Sequence, residues 1–210
     1  MKRRLLLSVP ILCIFMSYCT KEPIKNLTSE ESRIYVTNYD TSVNFSNYKT
    51  FRIADSIAVV TNNRLEGRKR TSDDVQIINA VAAAMEQRGF TRVSGNASAD
   101  LGIAVNAITN TSTQVVSYRD YGGFYGGLWD PFYWGYPNYS YFFPTYYGVY
   151  ETGETALSID AVDIKNATQN NNRLRVVWSG LVRGSGVFTN QNIPGHITAL
   201  FNQSPYLRNQ

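Results

Sequence analysis

Between residues 73 and 88 apolar side chains recur at three- and four-residue spacing. Val75, Ile78, Ala82 and Met85 make one stripe, so the spacing predicts a helix whose stripe faces a sheet. Asp73, with Gln76 three residues on, supplies the N-terminal cap, and Gly89 the left-handed stop after Arg88. A shorter helix is predicted where Ile193, Ile197, Leu200 and Phe201 share a face, with Asn192 as cap, Pro194 in the first turn and Pro205 past the end. Elsewhere β-branched and aromatic residues dominate. Residues 33–37, 48–60, 90–93, 101–118, 156–164 and 174–187 read as strands, with Asn44, Ser46 and Asn47 as turn-formers between the first two. The last two are consecutive and joined by a polar tip over residues 165–173, which implies antiparallel pairing. This order predicts an α+β fold: a largely antiparallel sheet with one long and one short helix packed on one face.

The N-terminus breaks the pattern. Lys2, Arg3 and Arg4 precede an apolar run over residues 5–16 that is too short to span a bilayer comfortably, so residues 1–19 read as a secretory leader. The leader closes on Met16-Ser17-Tyr18-Cys19, which resembles the lipobox of bacterial lipoproteins, whose cysteine receives a diacylglycerol thioether and becomes the new N-terminus. Lipidation at Cys19 is the leading reading. Tyr18 stands where a small residue is usual, which leaves ordinary cleavage with a free thiol and an uncleaved N-terminal anchor as rivals. Cys13 lies inside the apolar run, where it would leave too short a core before cleavage. With Cys19 lipidated the mature chain holds no free cysteine, which excludes a disulfide framework, a thiolate metal site and a cysteine nucleophile. Residues 20–32 read as a tether, and residues 33–210 as a single domain. The expected address is the bacterial cell envelope, lipid-anchored at the outer membrane, with the periplasmic and surface faces both open.

Charge adds one exclusion. Three of the twenty Lys and Arg residues fall in the leader and all sixteen acids follow it, so the remainder carries seventeen bases against sixteen acids, a net +1. The densest basic run, Arg64, Arg68, Lys69 and Arg70 with Glu66 among them, reads as a solvated loop, and no nucleic-acid partner is expected.

From residue 118 to 150 the composition shifts. Aromatics take roughly half the positions, among them Phe124, Trp129, Phe132, Tyr133, Trp134, Tyr136, Tyr141, Phe142 and Tyr147, interleaved with Gly122, Gly123, Gly126, Gly127, Pro131, Pro137 and Pro144. Neither a helical nor an alternating period survives so many glycines and prolines, so the tract reads as a long aromatic, glycine-rich loop inserted between two strands. Two readings stand level. In one, Trp129, Phe132, Tyr133, Trp134, Tyr136, Tyr141 and Phe142 form a sticky surface for an envelope protein, a glycan or lipid headgroups; in the other, the tract is a cap packed over an open edge of its own sheet or a low-complexity disordered segment.

Catalytic chemistry has few candidates. His196, the one histidine, falls at the margin of the last helix's apolar face, a structural position. Asp160 and Asp163 lie three apart on a strand and so point to opposite faces. They cannot share a proton or a metal, and read as strand-edge or turn-capping groups. Residues 122–127 are glycine-rich but lack the lysine and following helix of a phosphate loop. Asp55-Ser56-Ile57 resembles an O-glycosylation motif of Bacteroidetes envelope proteins. The expectation is a non-enzymatic protein with no cofactor and no metal. A glycan-binding module, and then a hydrolase built on Asp163 and His196, are the alternatives.

Several short motifs occur in a familiar order: Asn44-Phe45-Ser46-Asn47-Tyr48-Lys49-Thr50-Phe51, Arg88-Gly89-Phe90, Ala99-Asp100-Leu101, residues 159–163, and Trp178-Ser179-Gly180. This order resembles the envelope lipoprotein family catalogued as domain of unknown function 4136, over about residues 33–205. The resemblance implies an α+β envelope lipoprotein and brings no established activity, ligand or cofactor. The motif residues themselves read as structural, with Phe45, Tyr48 and Phe51 packing a sheet and Trp178 a core or edge anchor beside Gly180.

Overall fold

The longest apolar segments of the chain become the middle of one sheet. The computed structural model describes residues 28, 30–61, 64–94, 97–109, 140–142, 155–169, 173–188 and 192–209. Its strands are β1 (Ile34–Tyr39), β2 (Thr50–Ile53), β3 (Ile57–Thr61), β4 (Arg64–Lys69), β5 (Thr91–Arg92), β6 (Leu101–Thr109), β7 (Ser140–Phe142), β8 (Thr155–Asp163) and β9 (Arg173–Arg183). Two helices, α1 (Ser72–Glu86) and α2 (Ile193–Asn202), accompany them. The strand order is β1-β9-β8-β6-β2-β5, with β3 also on β6, β4 outside β3, and β7 on β9. The pairs β6–β8, β8–β9 and β1–β9 are antiparallel, so the α+β expectation holds, while β2 and β3 run parallel to β6.

Alternation along β6, β8 and β9 sends Leu101, Ile103, Val105, Leu157, Ile159, Ala161, Trp178 and Val182 to one face. There they join Ile77, Ile78, Val81, Ala82 and Met85 of α1 and Ile193, Ile197, Leu200 and Phe201 of α2 in one core. The opposite face of β6 and β8 is buried as well, and there Asn106, Ser158 and Asp160 lie among Gly102, Ala104 and Ile108.

Three predicted elements differ. The strand expected over residues 48–60 is two strands, because Ile53 pairs with Ile103 but Ala58 with Asn106. Five steps on one side match three on the other, and Ala54-Asp55-Ser56 bulges out. Residues 64–69 are no solvated loop: they form β4, antiparallel to β3. Charged residues suit a strand at a sheet edge, where they discourage further pairing, and the same charges imitate a loop in sequence. Helix α1 is capped by Thr71 rather than Asp73. The Thr71 hydroxyl accepts from the Asp74 amide, and the Asp74 carboxylate accepts from the Thr71 amide at 2.8 Å. Its apolar face is also rotated, since Ile77 and Val81 are buried while Val75 is only half-buried. Asp74 is buried and paired with Lys69 at 3.0 Å. Burial alone would raise its pKa, but the Thr71 and Lys69 bonds outweigh that and hold it below the usual value.

The C-terminal segment is fastened by polar ties. Trp178, fully buried, donates its indole N–H to the Ser204 hydroxyl at 2.8 Å. Gly180 makes room for that ring, since a Cβ there would meet Trp178 Cη2 at 2.7 Å. The Arg88 guanidinium donates to the carbonyls of Phe201, in the last turn of α2, and of Ser204 and Leu207 beyond it, which ties the segment after the helix to the end of α1. Gly89 takes the left-handed conformation, at φ +88°, and its carbonyl accepts from the Asn209 side chain. Asn192, expected to cap α2, sits at the cap position without a capping side-chain bond, and Pro194 opens the helix.

Gly180→Ala is expected to destabilise the fold by about 1–3 kcal/mol through the clash with Trp178. Gly195→Ala, in α2 where nothing lies within 4 Å of the new Cβ, is expected to stabilise it by about 0.5–1 kcal/mol. Urea unfolding of both variants measures the contrast.

Candidate functional site

At the end of β8 the chain makes a polar turn, and across from it β1 leads into a second one. Asp40 ends β1 and folds the turn on itself: its Oδ1 accepts from the Ser42 amide and hydroxyl at 3.0 and 2.8 Å. The Asn44 Oδ1 then accepts from the Ser46 amide, starting a single 3-10 turn over Phe45–Asn47. On the β8 side, Asp163 accepts from the Asn166 amide at 3.0 Å and the Asn166 side-chain amide at 2.8 Å. The turn-capping expectation for Asp163 therefore holds. The Tyr48 hydroxyl also donates to Asp163, at 3.0 Å. Burial and the Asp163 charge both push the Tyr48 pKa upward, so this hydroxyl stays protonated as a donor.

Between the two turns lies a cleft of about 490 Å³, walled by Ser42, Val43, Asn44, Asn47, Tyr48, Asp163, Lys165, Asn166, Gln169 and Arg175. Arg175 pairs with Asp40 and donates to the Ser42 hydroxyl at 2.8 Å, and Lys165 donates to the Asn47 carbonyl at 2.6 Å. Asp100 braces the arrangement from behind by accepting from the Lys49 and Thr50 amides, while its carbonyl accepts from the Ile164 and Lys165 amides. Segments that carry the family resemblance, residues 44–51, 99–101 and 159–163, thus meet at one corner. Sequence reasoning did not find this cleft; the one available signal was the density of Asn and Ser in two distant turns.

Asp160 departs from the strand-edge expectation. It lies mid-sheet, fully buried, opposite Ala104 on β6 and Ser179 on β9. Its Oδ2 accepts from Ser158 at 2.8 Å and Asn106 at 3.0 Å. Its Oδ1 and the Asn106 Oδ1 are buried without a hydrogen-bond partner among the described residues. Burial drives its pKa up to about 7, against the bonds from Ser158, Ser179 and Asn106.

His196 is buried on α2, and its Nδ1 shares a hydrogen bond with the Tyr35 hydroxyl at 2.7 Å. Burial, then the nearby Arg33 charge, lowers its pKa, so the ring is neutral. Tyr35 pairs with Val182, which pairs with Leu157, whereas Asp163 lies six residues further along β8. At about 3.3 Å per residue this separates His196 from Asp163 by roughly 20 Å. Among the described residues no cluster of three or more His, Cys, Asp or Glu could hold a metal, and no helix is long and apolar enough to cross a membrane.

Cys19 and the leader lie outside the described residues, as do Trp129, Phe132, Tyr133, Trp134 and Tyr136. Tyr141 and Phe142 are described in backbone only, in β7, where they pair in parallel with Leu174 and Arg175 of β9. This short strand within the aromatic tract was not anticipated. Asp55-Ser56-Ile57 occupies the bulge between β2 and β3, with Asp55 exposed and Ser56 half-buried.

A family model described as Domain of unknown function (DUF4136) matches residues 35–206. The crystal structure of a DUF4136 family protein from Bacteroides thetaiotaomicron VPI-5482 resembles the chain at 26% identity, covering 85% of this chain and 98% of that one, with a TM-score of 0.60. A PelC dodecamer from Paraburkholderia phytofirmans covers 85% of this chain and 99% of its own at 13% identity and a TM-score of 0.41, a likeness on which no argument rests. No curated protein matches the chain.

An unfolded aspartate titrates near 3.8 and folded Asp160 near 7, so between those values the folded state holds a proton that the unfolded chain has released. Stability from this group is complete below pH 3.8 and is lost as pH rises through 7. Asp160→Asn is expected to remove that slope. In urea unfolding the variant should exceed the wild type at pH 8 by on the order of 4 kcal/mol, with the gap closing toward pH 4.

Proposed function

Because the chain belongs to the DUF4136 family, a domain of unknown function, we propose a role from its own residues: a non-enzymatic envelope lipoprotein, anchored at the outer membrane through Cys19, that presents its aromatic tract to another envelope component. The observation that carries this reading is where the tract is inserted. β6 and β8 stay paired residue by residue up to Thr109 and Thr155, so the chain between them leaves and re-enters at adjacent positions on the two central strands. A segment held at both ends by two paired central strands starts from a fixed base, and aromatic side chains offer large contact area at low entropic cost.

The non-enzymatic part is supported by the separation of the two candidate catalytic residues. Asp163 is engaged by Tyr48 and Asn166, His196 by Tyr35, and among the described residues neither has a serine, threonine or cysteine bonded to it. Glycan binding by the tract is the second reading, favoured by its tyrosine-rich composition, since aromatic faces stack on sugar rings while hydroxyls bond them.

Cys19→Ala is expected to move the protein from the detergent phase to the aqueous phase on Triton partitioning; unchanged partitioning would contradict lipid anchoring. A variant with Trp129, Phe132, Tyr133, Trp134 and Tyr136 changed to Ser spares β7. It is expected to keep the wild-type circular dichroism spectrum while losing an envelope component that the wild type retains through crosslinking and purification. Identical crosslinked species in both proteins would exclude the tract as the contact surface.

A further inference from the structure

We propose that the cleft between the β1 turn and the β8–β9 turn is a binding site for a neutral saccharide; its described wall holds no residue of the aromatic tract, whose β7 segment approaches it through the pairing of Phe142 with Arg175. Its volume of about 490 Å³ falls within the roughly 300–1,000 Å³ of small-molecule sites. The kind of ligand follows from which groups are already engaged. The Asp40 carboxylate is taken by Ser42 and Arg175, and Asp163 by Tyr48 and Asn166. Arg175 is held in turn by Asp40 and Ser42. Of the charged wall residues, Arg175 is paired with Asp40 and Lys165 with Asp100 at 3.8 Å, both acids behind the wall, and Asp163 is held by Tyr48 and Asn166, so no cation of the cleft is left unmatched to select an anion.

What remains on the wall is a set of carboxamides. The Asn47 and Gln169 side chains are exposed and make no hydrogen bond among the described residues, while Asn44 and Asn166 use one end of the amide and leave the other. A carboxamide donates at one end and accepts at the other, which matches a sugar ring whose neighbouring hydroxyls do both. The charged groups are fixed by their internal partners, so the wall is ordered before a ligand arrives, and that lowers the cost of binding. Val43 and Tyr48 are the largest apolar contributors, so recognition rests on hydrogen bonds rather than stacking. The expected affinity is accordingly weak and insensitive to salt.

The test is saturation-transfer NMR on detergent-solubilised full-length protein with methyl glucoside, methyl galactoside, methyl mannoside and lactose, with glucuronate as the charged comparison and ethylene glycol as background. At least one neutral sugar is expected to show ring-proton transfer above background, unchanged between low and high salt and not exceeded by glucuronate. Asn47→Ala combined with Gln169→Ala removes only unengaged surface amides and is expected to weaken binding about tenfold, the effect of losing two ordinary hydrogen bonds. The serine variant of the aromatic tract is expected to bind as the wild type does, so loss of the tract's own contacts and loss of the cleft read out separately. The proposal is overturned by background transfer for every neutral sugar, by undiminished binding to the double variant, by binding lost with the tract alone, or by salt-sensitive preference for glucuronate.

Discussion

Strand β8 is hydrogen-bonded along both edges and buried on both faces, and the rest of the fold is organised around that constraint. A strand so placed has no solvent to satisfy its polar side chains. On the helix-covered side Leu157, Ile159 and Ala161 meet the requirement by being apolar. On the other side Ser158 and Asp160 meet it only in part, through Asn106 and Ser179, and one oxygen of Asp160 is left over. Desolvation rather than any neighbouring charge therefore sets the protonation of Asp160. At the end of the strand Asp163, still paired with Leu101 and Arg175, caps the turn that follows, where the Asn166 amides and the Tyr48 hydroxyl supply donors.

The second organising feature is the fastening of the C-terminal helix. Apolar packing of Ile193, Ile197, Leu200 and Phe201 fixes which face of α2 is inside, but a helix of ten residues has little stability of its own. Its far end is held by two side chains that come from elsewhere in the chain: Arg88, just past α1, on the carbonyls of Phe201, Ser204 and Leu207, and Trp178 on Ser204. Gly180 belongs to the same device, since the indole occupies the space its missing side chain leaves.

These two features explain what could be read from sequence. β6, β8, β9 and α1 were legible because burial imposes runs and periods that survive in the sequence. β4 was not, because an edge strand is charged for the same reason a loop is. The break at Ala54-Asp55-Ser56 was not, because a bulge is defined by the partner strand's register. Asp163 could be placed as a turn cap from its position before a polar tip, whereas Asp160 looked the same by type and was distinguished only by its place mid-sheet. The cleft was illegible because residues 42–48, 163–169 and 175 meet only when β1 and β8 flank β9. The role of Arg88 was hidden in the same way, its acceptors lying more than a hundred residues away.

The described residues form one sheet with helices on one face and a polar cleft at the Asp163 end of β8; the aromatic tract joins the sheet after Thr109 and before Thr155, and its β7 segment pairs with β9 at Leu174 and Arg175. The central functional claim is that this insertion engages another envelope component, and the protein's three tryptophans, two of them in the insertion, allow a direct measurement. Hydroxyl-radical footprinting would compare Trp129, Trp134 and Trp178 in intact envelopes with the same residues in purified, detergent-solubilised protein. Trp178, fully buried, serves as the internal standard and should stay unreactive in both. The account predicts that Trp129 and Trp134 react in the purified protein and are protected in the envelope. Equal reactivity of Trp129 and Trp134 in the two settings would contradict it.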